Sequence, residues 1–227
     1  MIAELQKQGF VVIPGPVPFD RLAGLADAYD TVMATATGVD IRIGSTTTRV
    51  SDFVNRGAEF DDLWVFPPVL ETCRHVIGPT FRLSSLLGRT LRPHQPGQGL
   101  HVDVQRGSRD WPLLGFILMV DEFGPDNGAT CFVPGSHRWP NSPPDTTSDE
   151  ADSYEQALAC GPAGSMLVFN GSTWHGHTAN KTDKPRRSIQ GFFIPRGGRA
   201  ATDFAGRMSL ETRARLSPVA QYVLGAE

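Results

Sequence analysis

Two histidines and an aspartate stand in an order that suits a metal ion. His101-Val102-Asp103 is an H-x-D pair, and Trp174-His175-Gly176 follows well downstream. Two imidazoles and one carboxylate can occupy one face of an octahedral ion and leave three positions open. That arrangement suits non-haem Fe(II) and oxygen chemistry. On a strand, residues i and i+2 share a face, so His101 and Asp103 can reach one ion from one strand end. Pro96-Gly97-Gln98-Gly99, just before them, reads as a turn that delivers the chain into that strand. An H-x-D alone arises by chance in many chains, so its weight depends on what accompanies it.

His175 follows the apolar run Met166-Leu167-Val168-Phe169, a strand that can carry the chain back across a barrel to the pair. His177 competes with it, being two residues on and on the same face of an extended segment. Arg186 and Arg187 come next. A guanidinium fork matches a carboxylate bidentately, and on a strand only one of the two can face inward. Their other reading is a solvated pair after the turn Asp183-Lys184-Pro185. His137 ends Pro134-Gly135-Ser136, which is turn chemistry, and is read as structural. Asn180 is read as bonding its own turn, and Trp174 as packing.

The elements that must position these residues divide into helices first and strands after. Gly9 to Pro14 reads as a strand, and Asp20 as the cap of a helix carrying Leu22, Leu25, Ala26 and Tyr29 on one face. Residues 38–58, with the run Thr46-Thr47-Thr48, read as a polar loop. Pro67 to Ile77 reads as a second helix, ended by Gly78-Pro79. Short β-like runs follow at 81–92, 114–121, 129–133, 164–170 and 187–195. The stretch 138–163, rich in Pro, Ser, Asp and Thr, reads as a long loop at the pocket mouth, a lid or rim. This order predicts a mainly β protein with flanking α: an antiparallel barrel or jelly roll with helices packed outside. Residues 1–227 are expected to form a single domain.

Composition narrows the functional classes. Hydrophobic content of 40% and charged content of 20% fit a globular chain. The net charge of −3 gives no reason to expect nucleic acid or an acidic membrane surface as partner. The longest apolar run, Pro112 to Val120, is too short to span a bilayer, and Met1-Ile2-Ala3-Glu4 lacks the features of a secretion signal. Cys73, Cys131 and Cys160 are odd in number and widely spaced, which fits reduced thiols and a cytoplasmic location. The expected partner is a small-molecule substrate; nothing in the sequence bears on oligomeric state.

Taken in order, several segments resemble the phytanoyl-CoA dioxygenase family of non-haem Fe(II)/2-oxoglutarate oxygenases. They are Gln8 to Gly15, His101-Val102-Asp103, Asp126-Asn127-Gly128-Ala129, Pro134 to His137, Gly164 to Phe169, Trp174 to Asn180 and Pro185-Arg186-Arg187. The resemblance implies a double-stranded β-helix (cupin-like) core, with His101, Asp103 and His175 as iron ligands. It favours His175 over His177, and it places the arginine that anchors 2-oxoglutarate on Arg186. A second co-substrate contact is expected just before the H-x-D pair, from among Arg89, Arg92 and Gln95, with Arg92 and Gln95 taken beside Arg186. The implied reaction consumes 2-oxoglutarate and O2, releases succinate and CO2, and hydroxylates a C–H bond. Desaturation, epoxidation or cyclisation would use the same iron site. A cupin-like metal-dependent isomerase or hydrolase would not use 2-oxoglutarate, and a related halogenase would need Asp103 replaced by a small residue. His177 departs from the small residue common in the family at that position.

Overall fold

In the computed structural model, which describes residues 1–104, 113–144 and 153–227, the chain opens with α1 (Ile2–Gln8) and β1 (Phe10–Pro14). Next come α2 (Leu22–Thr35), β2 (Ile41–Ile43), β3 (Thr47–Ser51), α3 (Pro67–Val76), β4 (Phe81–Leu91) and β5 (Gln98–His101). β6 (Leu114–Met119), β7 (Thr130–Phe132), β8 (Ala157–Ala159), β9 (Ser165–Asn170), β10 (His175–His177) and β11 (Arg186–Pro195) complete the strands. α4 (Phe204–Arg207), α5 (Leu210–Arg215) and α6 (Pro218–Leu224) end the chain.

The strands form two antiparallel sheets. The larger runs β1-β9-β6-β11-β4-β3-β2 and the smaller β5-β10-β7-β8. This is the jelly-roll, double-stranded β-helix architecture expected from the sequence. Every residue of β6 and β9 is buried, because both faces of the larger sheet are covered. Leu114, Phe116 and Leu118 of β6, with Met166 and Val168 of β9, pack into a core with Leu25, Tyr29, Phe60, Val69, Phe204 and Val223 from the helical segments. The alternate residues Ile117, Met119, Leu167 and Phe169 join Phe123, Phe132 and Ala159 between the sheets. A continuous apolar strand is thus two half-patterns, one for each layer. On the smaller sheet, Leu100, Val133 and Trp174 pack with Trp139 and Tyr154. Trp174 and Trp139 meet edge to face, with ring centroids 5.1 Å apart, which bears out packing as the role of Trp174.

Three sequence expectations are corrected. Residues 38–58 are not a loop. They hold the hairpin β2–β3, whose tip is closed by the Gly44 N–H donating to the Thr47 carbonyl at 2.8 Å. The threonine run is β-branched and prefers the pleated conformation, a preference outweighed in the sequence reading by its polarity. Asp20 does not cap α2. A short 3-10 turn, Phe19–Arg21, intervenes, and the helix begins at Leu22 with no side-chain cap. The stretch 138–163 contains β8, paired with β7. Its residues 145–152 lie outside the described residues, and with them part of the expected lid.

The C-terminal helices had no counterpart in the sequence reading, though their caps are visible in hindsight. Asp203, Ser209 and Ser217 each accept a hydrogen bond from a first-turn backbone N–H. Arg207 from this segment joins Arg56 in gripping Asp40, at 2.5 and 2.8 Å, just before β2. The Arg207 hydrogen bond holds the Asp40 carboxyl below its ordinary range, against a smaller opposing effect of burial. Because the folded value is depressed, this contribution to stability is complete above the unfolded value of about 4. It is lost as pH falls through the folded value. Asp40→Asn should therefore flatten the acid limb of the melting temperature below about pH 4, leaving the neutral region nearly parallel to the parent. No helix among the described residues is long and apolar enough to cross a membrane.

Candidate metal centre

β5 and β10 are neighbours in the smaller sheet, and His101 lies directly opposite His175. This pairing joins two residues separated by a long stretch of sequence. Asp103, just beyond β5, is fixed by its N–H donating to the Gly171 carbonyl at 2.9 Å. One ligand atom from each of His101, Asp103 and His175 falls within 4.8 Å of the others. His175 Nε2 lies 3.5 Å from Asp103 Oδ2, and the two imidazole rings are 4.3 Å apart.

The ring nitrogens are set for ligation. His175 Nδ1–H donates to the Thr173 carbonyl at 2.8 Å, and His101 Nδ1–H to the Gly99 carbonyl at 3.2 Å. A carbonyl only accepts, so each Nδ1 carries the proton and each Nε2 keeps its lone pair for a metal. Burial lowers the pKa of His175, opposed by the charge of Asp103 and assisted by that of His101. The ring is therefore kept neutral, the form a metal requires. Phe132 and Phe169 flank it at 5.6 and 5.2 Å. Ser136 Oγ accepts from the Trp174 N–H at 2.8 Å, seating the strand that carries His175.

The strand alternation separates Arg186 from Arg187. Arg187 points to the helical side and forks onto Asp121, with Nη2–Oδ1 at 2.6 Å and Nε–Oδ2 at 3.0 Å, while Nη1 reaches Asp30 at 2.8 Å. These bonds raise its pKa. Arg186 faces inward and is 2% exposed. Its Nε and Nη1 have no hydrogen-bond partner, and its guanidinium carbon sits 4.3 Å above the Phe123 ring. Burial, aided by the charge of Arg89, pushes its pKa down to about 9, so it remains a cation at neutral pH. A buried, charged guanidinium with unmatched donors is costly, and a carboxylate would match its fork.

Arg186 and the triad line one cavity of about 160 Å³. Its polar lining includes Arg49, Arg89, Gln98, Thr130, His177 and Gln190, with Leu87, Ile117, Phe169 and Phe192 as apolar walls. His177 is buried, its pKa pushed down to about 4 by desolvation, and its Nδ1–H donates to the Thr178 carbonyl at 2.9 Å. It shares the cavity but not the ligand cluster. His137 is elsewhere, with Nε2 on the Gln6 carbonyl at 3.1 Å. Asn180 braces its turn as expected, accepting from Thr182 and donating to the Lys184 carbonyl, and it also reaches the Arg92 carbonyl.

Arg92 and Gln95 are not among the cavity residues. Arg92 donates to the carbonyls of Gly44 and Ser45 and so braces the β2–β3 hairpin. Gln95 donates to the Pro93 carbonyl at 3.2 Å. In their place stand Arg89, which donates to Gln98 Oε1 at 2.9 Å, and Gln98, whose amide nitrogen is 3.5 Å from His101 Nε2. Gln98 and His101 are three apart, which an ideal strand would put on opposite faces. A register shift between β5 and β10 lets His177 oppose Gln98 while His175 opposes His101. Thr130 lies opposite His177 on β7.

Gly176, between the two histidines, is required by this crowding. A Cβ there would fall 2.2 Å from the Gln98 carbonyl oxygen and 3.0 Å from that of Gly99, both backbone atoms. Gly176→Ala must push β5 from β10 and so separate His101 from His175. A destabilisation of about 1–3 kcal/mol is expected from such overpacking, with metal affinity reduced by more than the melting temperature alone would suggest. Calorimetric titration with Ni(II), beside a thermal melt, checks both.

A family model described as Phytanoyl-CoA dioxygenase (PhyH) matches residues 5–188, a span that includes the triad and Arg186. The chain belongs to the phytanoyl-CoA dioxygenase family. Among curated relatives, dioxygenase trt7 of Aspergillus terreus is 26% identical over 208 residues, covering 84% of this chain and 71% of trt7. Dioxygenase cdmA of Talaromyces verruculosus is 39% identical over 108 residues, covering 44% of this chain and only 35% of cdmA. The crystal structure of the epimerase SnoN, in complex with Fe3+, alpha ketoglutarate and nogalamycin RO, shares the PhyH chain's fold. Its TM-score is 0.71 at 22% identity, over 86% of this chain and 82% of SnoN.

Proposed function

We propose that the chain is an Fe(II)- and 2-oxoglutarate-dependent oxygenase, a single domain over 1–227, that hydroxylates an unactivated C–H bond of a small molecule with release of succinate and CO2. The observation that carries this reading is Arg186. It is a buried guanidinium with two unmatched nitrogens, opening on the same cavity as a His-Asp-His cluster. A cupin-like metal-dependent hydrolase or isomerase that does not use 2-oxoglutarate would have no use for it, whereas the distal carboxylate of 2-oxoglutarate matches its fork. SnoN, of the same fold, holds iron and this co-substrate.

In this reading His101 Nε2, Asp103 and His175 Nε2 hold Fe(II). The iron, when bound, supplies the activation of O2 that protein side chains cannot perform. Arg186 fixes the far end of 2-oxoglutarate, so its keto-acid end is directed toward the triad. Thr130, Gln98 and Gln190 add neutral hydrogen-bond groups to the cavity. Phe169, Phe192, Ile117 and Leu87 exclude water from it. Asp103 fills the position that a halide would need, so oxygen rather than halogen should reach the product.

Succinate release from 2-oxoglutarate, under air with Fe(II) and across a metabolite library, tests the reading. Oxygen-18 from labelled dioxygen is expected in both succinate and the hydroxylated product, with chloride present but not incorporated. A chlorinated product from the intact triad would contradict the role given to Asp103.

A further inference from the structure

Beyond the inner cavity lies a second pocket of about 340 Å³, lined by Arg42, Arg49, Arg89, Gln98 and the tip of the β2–β3 hairpin. It shares Arg49, Arg89 and Gln98 with the inner one. The inner volume of about 160 Å³ is below the ~300–1,000 Å³ typical of a small-molecule site. A substrate arriving beside 2-oxoglutarate must therefore extend outward, and among the described residues the outer pocket adjoins the inner one at Arg49, Arg89 and Gln98.

That pocket contains a charge arrangement that folding does not explain. Arg42 is the register partner of Arg49, and Arg49 is the register partner of Arg89. Direct partners on antiparallel strands put their side chains on one face, and like charges so placed destabilise the sheet. Three arginines therefore form a single row across β2, β3 and β4. Arg42 alone could be the charge that guards an edge strand, but Arg49 and Arg89 lie on interior strands. Among the described residues, neither Arg42 nor Arg49 has an ion-pair or hydrogen-bond partner, and Arg89 Nε is buried without one. Arg92 holds the hairpin tip in place around them. The row stands out in a chain of net charge −3.

We infer that the outer pocket is the subsite for an oxyanion, carboxylate or phosphate, on the substrate to be oxidised. Arg42 and Arg49 hold it, and Arg89 marks the junction with the inner cavity. This rests on the oxygenase reading for the inner site and adds the class of substrate: a small acid or phosphate ester, anchored at one end while the other lies toward the metal centre. The 2-oxoglutarate carboxylate is assigned to Arg186, so two anions would be bound by separate arginines.

The test uses the full chain loaded with Ni(II), which blocks turnover, and saturated with 2-oxoglutarate. Phenyl phosphate, benzoate and neutral benzamide are titrated by calorimetry. Binding of one or both anions is expected, with the phosphate and carboxylate arms deciding which oxyanion is preferred, and benzamide should not bind. Arg42→Gln with Arg49→Gln should weaken anion binding at least about tenfold. The exposed Arg42→Gln alone, which cannot disturb the core, should weaken it less. Affinity for 2-oxoglutarate should not change in Arg42→Gln. Equal binding of benzamide, anion affinity indifferent to both variants, or anions that only compete with 2-oxoglutarate would overturn the inference. If the parent bound the anions but not 2-oxoglutarate, the oxygenase reading would fail instead, and the anion titrations would still judge this pocket.

Discussion

His175→Ala is expected to lower Fe(II) affinity by more than about 100-fold and to abolish 2-oxoglutarate turnover. Loss of an outer-shell partner of a metal ligand already costs about 10–100-fold, and in the proposed site this change would remove one of three protein bonds to the metal. His101→Ala and Asp103→Ala should behave alike, because the three ligand atoms share one cluster. The informative control is His177→Ala. His177 lines the same cavity but its Nδ1–H is committed to the Thr178 carbonyl and it lies outside the cluster. It should keep Fe(II) binding within a few-fold of the parent. Iron content after gel filtration and calorimetric titration with Ni(II) give the comparison. Retained metal in His175→Ala with loss in His177→Ala would move the distal ligand by two residues.

The second large effect separates the two neighbouring arginines. Arg186→Lys should weaken 2-oxoglutarate binding by about 2–5 kcal/mol, the range for removing one partner of a buried charged pair. A lysine presents one point of charge where the carboxylate needs a planar fork. Protein stability should change little or rise, since Nε and Nη1 of Arg186 have no partner within the protein. Arg187→Lys should do the reverse. Its bonds to Asp121 and Asp30 would be lost, lowering the melting temperature while leaving 2-oxoglutarate affinity near that of the parent. A thermal melt and a co-substrate titration on each variant make a two-by-two comparison. If 2-oxoglutarate affinity fell in Arg187→Lys alone, the anchor would lie one residue on.

Much of the metal centre is legible in the sequence because it follows period-2 geometry. The pair His101 and Asp103 and the rule that only one of Arg186 and Arg187 faces inward rest on alternation, while the choice of Arg186 rests on the family resemblance. Spacing alone leaves His175 and His177 open; the family resemblance favours His175, and the β5–β10 pairing places His175 opposite His101. The same rule hid Gln98. Its approach to His101 depends on a register shift that a single strand's sequence does not reveal. The row joining Arg49 to Arg89, itself a candidate in the sequence, is hidden for another reason. Their meeting is a contact between strands far apart in sequence, and the hairpin carrying Arg49 was obscured by reading threonines as polar rather than β-branched. Arg92 and Gln95 stand close to the H-x-D pair in sequence, yet their side chains are consumed by backbone carbonyls. For the fold, the order of helices first and short strands after predicts the jelly roll, and the structure shows that the apolar runs of β6 and β9 are covered on both faces. The C-terminal helices were missed because they are short and marked chiefly by their caps.

The most direct measurement of the central claim is an anaerobic titration of the Fe(II)-loaded chain with 2-oxoglutarate, followed by the visible charge-transfer band of the chelate. The band should appear, saturate at one 2-oxoglutarate per chain, and demand far higher co-substrate concentrations in Arg186→Lys. Fe(II) held at the triad with no band at any 2-oxoglutarate concentration would contradict the account.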